Sequence, residues 1–283
     1  MILTIIGYMY LGYWGFKEKP FENTPDPRFF YATAKHEEAL MRMFYAVTER
    51  KSAAMLSGEY GSGKTLLTRV ITSKLLNDNS NYNVAIIINP DITSDELLEE
   101  IIYQLGKTPM VNNKKNELLR ELNSLLYATS RKEKHTVIII DEAQAIKDEK
   151  TLEELRLLLN FQLNDRFLLT LLLFGQPELR DKVSHLKQFE QRIALRYHLN
   201  NLSNEETNGY IAYRCRIAGA EREIFTPDAC HLVNFRTGGI PRIINTVCDT
   251  ALLVGMNKNA NEIDTAIVEG VLKDLQLLTE ATA

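Results

Sequence analysis

The eight residues "GEYGSGKT", Gly58 to Thr65, fit the pattern GxxxxGK[ST], and the pattern has a chemical logic. Glycines let backbone N–H groups turn inward around an anionic phosphate, and a following helix adds its favourable dipole. Lys64 is spaced to reach the β- and γ-phosphates of a nucleotide, and the Thr65 hydroxyl to ligate Mg²⁺. The phosphate-binding set therefore runs through Gly58, Glu59, Tyr60, Gly61, Ser62, Gly63, Lys64, Thr65 and Leu66. The flanks suit it. "SAAML" before the loop is a short apolar strand, and "LLTRVITSKLLND" after it has helical spacing.

A second constellation is "VIIIDEAQ", Val137 to Gln144. A strand end followed by a helix cap would account for Asp141 alone. It accounts less well for the Asp141–Glu142 pair, since adjacent acids repel unless a cation or a proton separates their roles. Downstream of a phosphate loop, Asp141 reads as part of a Mg²⁺ shell and Glu142 as the group that polarises an attacking water. That pairing implies hydrolysis as well as binding.

Four further positions are candidates. Gln176, in "LLLFGQPELR", ends the next apolar strand. It has two readings: a side chain that orients water or senses phosphate, or an ordinary Gly-Gln-Pro turn. In "EQRIALRYHL", Arg192 and Arg196 stand four apart and so on one helical face. They form either a solvated basic stripe or a source of an arginine finger for a neighbouring subunit, with Arg192 first and Arg196 second. Arg242 follows "TGGIP" at a helix start; it could report phosphate occupancy, or be a surface residue in a first turn.

Positioning these groups demands a particular frame. Apolar strands ("NVAIII", "HTVIIID", "LLTLLLFG") alternate with amphipathic helices, which indicates an α/β domain with a parallel sheet covered on both faces. After about Leu199 only helical patterns follow, with Ser203 and Thr226-Pro227 as starts. The expected division is a leader and first helix packed on the core (1–50), a nucleotide-binding αβα domain (51–199) and a helical lid (200–283). Hydrophobic content of 45% and charged content of 25% over 283 residues suit one substantial core and a satellite. The net charge of −4 gives no global attraction to nucleic acid or an anionic membrane. Three cysteines without a CxxC argue against a disulfide framework or a zinc site, and five scattered histidines show no ligand pair.

The N-terminal "MILTIIGYMYLGYWGF" carries no charge but is shorter than the ~18–20 apolar residues of a membrane span. It also lacks a signal peptide's basic region and cleavage site. Weak interfacial attachment through Trp14 and the tyrosines is an alternative, as is a start at Met9; the segment is read as soluble.

Taken in order, "YWGFKEKPFENTPDPRFFY", "HEEAL", "GEYGSGKT", "IIIDEAQ", "FGQPEL", "QRI" and "GGIPRIIN" resemble the AAA+ ATPases of the ExeA/GspA and MshM type, which serve secretion and pilus biogenesis. These are related to the TnsC/TniB and MuB transposition ATPases. The resemblance covers roughly Tyr13 to Leu275. It implies a P-loop NTPase fold with a helical lid, ATP and Mg²⁺ as cofactors, and a homo-oligomeric ring or helical filament with inter-subunit sites. It carries Lys64, Thr65, Asp141 and Glu142 over as ATPase residues and Arg242 as sensor 2. Two departures matter. Gln176 stands where many relatives have Asn, Ser or Thr. The sequence ends at Ala283 without the transmembrane helix and peptidoglycan-binding domain of ExeA-type proteins, so a free-standing cytoplasmic ATPase is expected.

Two roles follow as expectations. One is assembly or remodelling of a secretion or pilus partner. The other is ATP-dependent filaments or rings on duplex DNA that recruit a transposase, with Lys114-Lys115 and Arg131-Lys132 as possible contacts. A switch with little turnover is a third reading, which Glu142 argues against. The leader segment Phe29–His36 is either a wall of the base pocket or plain packing.

Overall fold

The computed structural model describes residues 10–107 and 114–277. The choice between Met1 and Met9 lies outside the described residues. No helix among those described is long and apolar enough to cross a membrane.

Five strands, β1 (Ala53–Gly58), β2 (Tyr82–Ile87), β3 (His135–Ile140), β4 (Leu169–Gly175) and β5 (Ile193–Leu199), form one sheet in the order β2-β3-β4-β1-β5. Every pairing is parallel. β1, β3 and β4 are buried at every position, which explains their uninterrupted apolar text. The register sets Ser57 beside Gly175 and Ile140 beside Leu173. The chain therefore leaves β3, β4 and β1 side by side at one end of the sheet, where ligands of parallel α/β sheets bind.

Local chemistry starts the helices. Thr93 and Glu96 form a reciprocal capping box ahead of Ser94–Gln104, as do Ser203 and Glu206 ahead of Asn204–Ile217. Thr226 caps Pro227–Thr237 with Pro227 in the first turn. Both outer strands are plugged by side chains. Gln104 Oε1 accepts from Ile86 N at 2.5 Å, and its Nε2 donates to Ile86 O at 2.7 Å. At the other edge, Arg42 Nη1 donates to the carbonyl of Arg196 in β5 at 3.0 Å.

One element corrects the sequence reading. "EQRIALRYHL" holds β5, not a helix. Ile193, Leu195, Tyr197 and Leu199 alternate with Ala194, Arg196 and His198, a period of two that fits a strand paired on β1. Arg192 and Arg196 do not share a helical face. Four residues along extended chain place them ~13 Å apart, rather than a single ~5–6 Å helical turn.

The chain divides into two compact units: Ala34–Glu59 with Lys64–Leu199, and the chain up to Thr33 with Tyr60–Gly63 and the chain from Asn200. The first contains the sheet and the helix Ala34–Thr48. In it His135, buried in β3, lies 2.8 Å from Thr170 Oγ1, which donates its one proton to Lys51 O at 2.6 Å. The hydroxyl must therefore accept, so the histidine carries its proton on Nε2. Burial, with Arg50 nearby, pushes the His135 imidazole down to about 3. Unfolded chain takes up a proton near pH 6.5 and the folded chain does not, so stability falls as pH drops from about 6.5 towards 3. At pH 5 this group should cost about 2 kcal/mol relative to pH 7.5. Urea titrations of the parent and His135→Gln across pH 4.5–7.5 test this. Equal pH slopes for the two proteins would refute it.

The second unit absorbs the leader. Tyr10, Trp14, Phe16, Phe21 and Phe29 bury among the C-terminal helices. Whereas the sequence division grouped residues 1–50, the described leader, residues 10–33, packs here because its aromatic surface is buried here. Trp14 Nε1 donates to Leu252 O at 2.9 Å and Lys17 N to Ala218 O at 2.7 Å. At the centre is Arg214, only 5% exposed. It donates from Nε to Pro20 O (2.5 Å), from Nη2 to Glu22 O (2.9 Å) and from Nη1 to the Tyr210 hydroxyl (2.8 Å). Its guanidinium lies 4.8 Å from the Phe29 ring centre, and Tyr31 packs against Tyr210 and Tyr213. For Phe29 and Tyr31, packing is what the unit displays. Cys215, Cys230 and Cys248 are free and buried, and burial raises all three thiols, Cys230 to about 12.

Candidate functional site

The loop between β1 and the helix Lys64–Asn77 turns on Gly61 (φ 81°) and Gly63 (φ 98°), conformations that a side chain would strain. Ser62 is buried with its Oγ unpartnered, and Leu66 is half-buried. Lys64, 4% exposed, donates from Nζ to Gly58 O and Glu59 O, each at 2.8 Å. Burial pulls its ammonium below the usual range, opposed by the carboxylates of Glu142, Asp141, Glu59 and Glu178.

Asp141 follows β3, 3% exposed. Burial pushes its carboxyl up to about 6 and Glu142 adds to this, while the Glu142 N–H, Lys64 and the Thr65 hydroxyl oppose. The Glu142 N–H donates to Asp141 Oδ1 at 3.0 Å. Thr65 and Asp141 thus lie within electrostatic reach of each other and carry a hydroxyl and a carboxylate, hard oxygen donors of the kind Mg²⁺ accepts. Two protein ligands suit an ion whose shell is completed by phosphate oxygens and water. A cation there would favour the ionised Asp141 and reverse its upward shift.

Glu142 has φ 50° and ψ 38°, a left-handed conformation that costs a residue with a side chain roughly 1–2 kcal/mol. Sequence reasoning missed this strain. It also missed the role of Gln144, whose Nε2 donates to Glu142 Oε2 at 2.5 Å. Gln144 was legible as the last letter of "DEAQ", but nothing local to the motif marks its partners. Gln176 is half-buried after β4, with Nε2 3.5 Å from Glu142 Oε2.

The arginines are placed otherwise. Arg192 precedes β5 at the level of Ala53, the start of β1; its carbonyl accepts from Ser52 Oγ at 2.6 Å and its Nη2 donates to Asn160 at 3.2 Å. Six strand residues, ~20 Å, separate that level from the loop after Gly58. Arg196 lies beside Met55 and pairs with Glu190 at 3.1 Å. Arg242 belongs to the helical unit, as does the loop tip. Its N–H donates to Gly61 O at 3.3 Å, and its guanidinium stands 4.9 Å from the Tyr60 ring centre.

Residues 47–183 match a family model described as an AAA domain. General secretion pathway protein A of Aeromonas hydrophila is 35% identical over 258 residues, which are 90% of this chain. The chain contains an AAA domain. It spans 46% of that relative's length. The fold agrees with solved AAA+ structures. The ORC2 protein of Aeropyrum pernix, in ADPNP–ADP complexes, gives a TM-score of 0.69 at 17% identity over 92% of this chain and 72% of that one. Drosophila ORC bound to DNA gives 0.66 at 14% identity over 92% and 67%. The expected AAA+ class, with its parallel P-loop sheet and helical C-terminal region, is therefore the one observed.

Proposed function

We propose that this AAA+ chain binds and hydrolyses ATP with Mg²⁺, and that it works as a homo-oligomer whose nucleotide state drives assembly or remodelling of a secretion- or pilus-type partner. The observation that carries the reading is the convergence of Lys64 and Thr65, after β1, with Asp141 and Glu142, after β3, on either side of the β4 end. Lys64 would exchange the Gly58 and Glu59 carbonyls for phosphate oxygens. Thr65 and Asp141 would hold Mg²⁺, which supplies charge neutralisation at the phosphates. Glu142 would accept a hydrogen bond from the attacking water and polarise it. Gln176 lies within reach of Glu142 and would sense the γ-phosphate or steady the water. Arg242 would act as sensor 2. Arg192, a sheet's length from its own loop, supports a finger that serves a neighbouring subunit, with Arg196 as the alternative.

The likeness to general secretion pathway protein A supports the partner class. Phosphate release from Mg-ATP by the purified chain, measured beside sedimentation with ATP, ADP and no nucleotide, tests the reading. Lys64→Ala should weaken ATP binding at least tenfold, because it removes the buried cation facing the phosphates; unchanged affinity would remove the loop from the site. Duplex DNA belongs in the same series across a range of salt. ATP-dependent filaments on DNA, with affinity falling steeply as salt rises, would replace the secretion-type partner with the DNA role.

A further inference from the structure

One side-chain amide joins two strand ends. Gln144 Nε2 donates to the Glu142 carboxylate at 2.5 Å, and Gln144 Oε1 accepts from the backbone N–H of Gln176 at 3.0 Å. The orientation of this amide follows from chemistry. An ionised carboxylate only accepts and a backbone N–H only donates, so the nitrogen must face Glu142 and the oxygen Gln176. The backbone of Gln144 is held as well, its carbonyl accepting from Lys182 Nζ at 2.5 Å. Room for the amide comes from Gly175, where a Cβ would stand 2.8 Å from Gln144 Oε1. Glu142 sits just past β3 and Gln176 just past β4, so the amide spans neighbouring strands.

We propose that Gln144 is a positioning residue: its amide, clamped between the Glu142 carboxylate and the Gln176 backbone, sets where Glu142 points and transmits movement of the β4 end to it. The proposal rests on the hydrolytic reading of Glu142. A planar amide with a donor at one end and an acceptor at the other acts as a strut. When Gln176 shifts, Oε1 follows its N–H and Nε2 carries the carboxylate with it. Misplacing a reacting group by about 1 Å can cost up to a hundredfold in rate, so a strut of this kind matters to turnover without touching nucleotide.

The test has two parts. In nucleotide-free protein, Gln144→Ala should raise hydrogen exchange at the Gln176 amide at least tenfold, since that N–H loses its acceptor. With Mg-ATP the same variant should lower kcat about tenfold and change KM less than twofold. In a Glu142→Gln background it should change the residual turnover less than twofold, because its effect passes through Glu142. Gln144→Met, which keeps length and volume without the amide, should reproduce all three results if the alanine variant folds poorly. An equal loss of turnover in both backgrounds, unchanged turnover, or unchanged exchange at Gln176 would each overturn the proposal. Absence of turnover in the parent protein would instead overturn the hydrolytic reading, and this proposal with it.

Discussion

Glu142→Gln should leave ATP binding intact or tighter while lowering turnover by about 10²–10⁴-fold, the range for loss of a positioned general base. Glutamine keeps the shape of the side chain, and its oxygen can still accept from Gln144. What disappears is the negative charge proposed to polarise water. Glu142 also leads the carboxylates that support the Lys64 ammonium, so its neutralisation removes an anion close to where the triphosphate would lie. Repulsion between like charges then falls, which is why affinity should hold or rise. Titration with ATP and single-turnover phosphate release separate the two quantities. A variant with parental turnover would take Glu142 out of the chemistry. One that cannot bind ATP would show that the carboxylate holds the loop together.

Arg214→Ala should destabilise the helical unit by about 3–5 kcal/mol. The change strips Pro20 O, in a buried bond, and Glu22 O, in a partly buried one, of their donor and leaves a cavity beside Phe29, Phe21 and Tyr210. An orphaned buried acceptor such as Pro20 O costs about 1–3 kcal/mol, and the lost packing adds to that. Arg214→Lys keeps the charge but not the fork that serves three acceptors at once, so it should recover less than half of the loss. With two compact units, unfolding need not be a single transition. Hydrogen exchange and limited proteolysis across residues 17–31, read beside urea titration, localise the effect. An alanine variant within 1 kcal/mol of the parent, with the leader still protected, would show that the aromatic packing alone suffices.

These two residues mark the limits of what could be read from sequence. The phosphate loop and "DEAQ" were legible because their chemistry depends on residues only a few positions apart, and the alternating apolar strands announced a parallel sheet. β5 carried its own period-two signal, but the two arginines drew attention to a helical spacing. Gln144 and Gln176 stand 32 positions apart and meet only because β3 and β4 are neighbours; no local pattern encodes that. Arg214 reaches Pro20 across 194 positions. The aromatic leader was legible as something that must pack, while its destination among the C-terminal helices depended on tertiary structure. The left-handed backbone at Glu142 was hidden for another reason. Glutamate has no preference for it, and the surrounding contacts impose it.

The plugged borders of the sheet bear on how copies of the chain can meet. A bare outer strand invites another chain to extend the ladder, and such backbone lamination is slow to reverse. Gln104 satisfies both polar groups of Ile86 with one amide, and Arg42 occupies a carbonyl of β5. At those positions the two side chains act as end-stops, so the sheet is finite where it would otherwise be adhesive. Association through side-chain surfaces remains open to copies of this chain, and that is the kind of contact a nucleotide cycle can make and break.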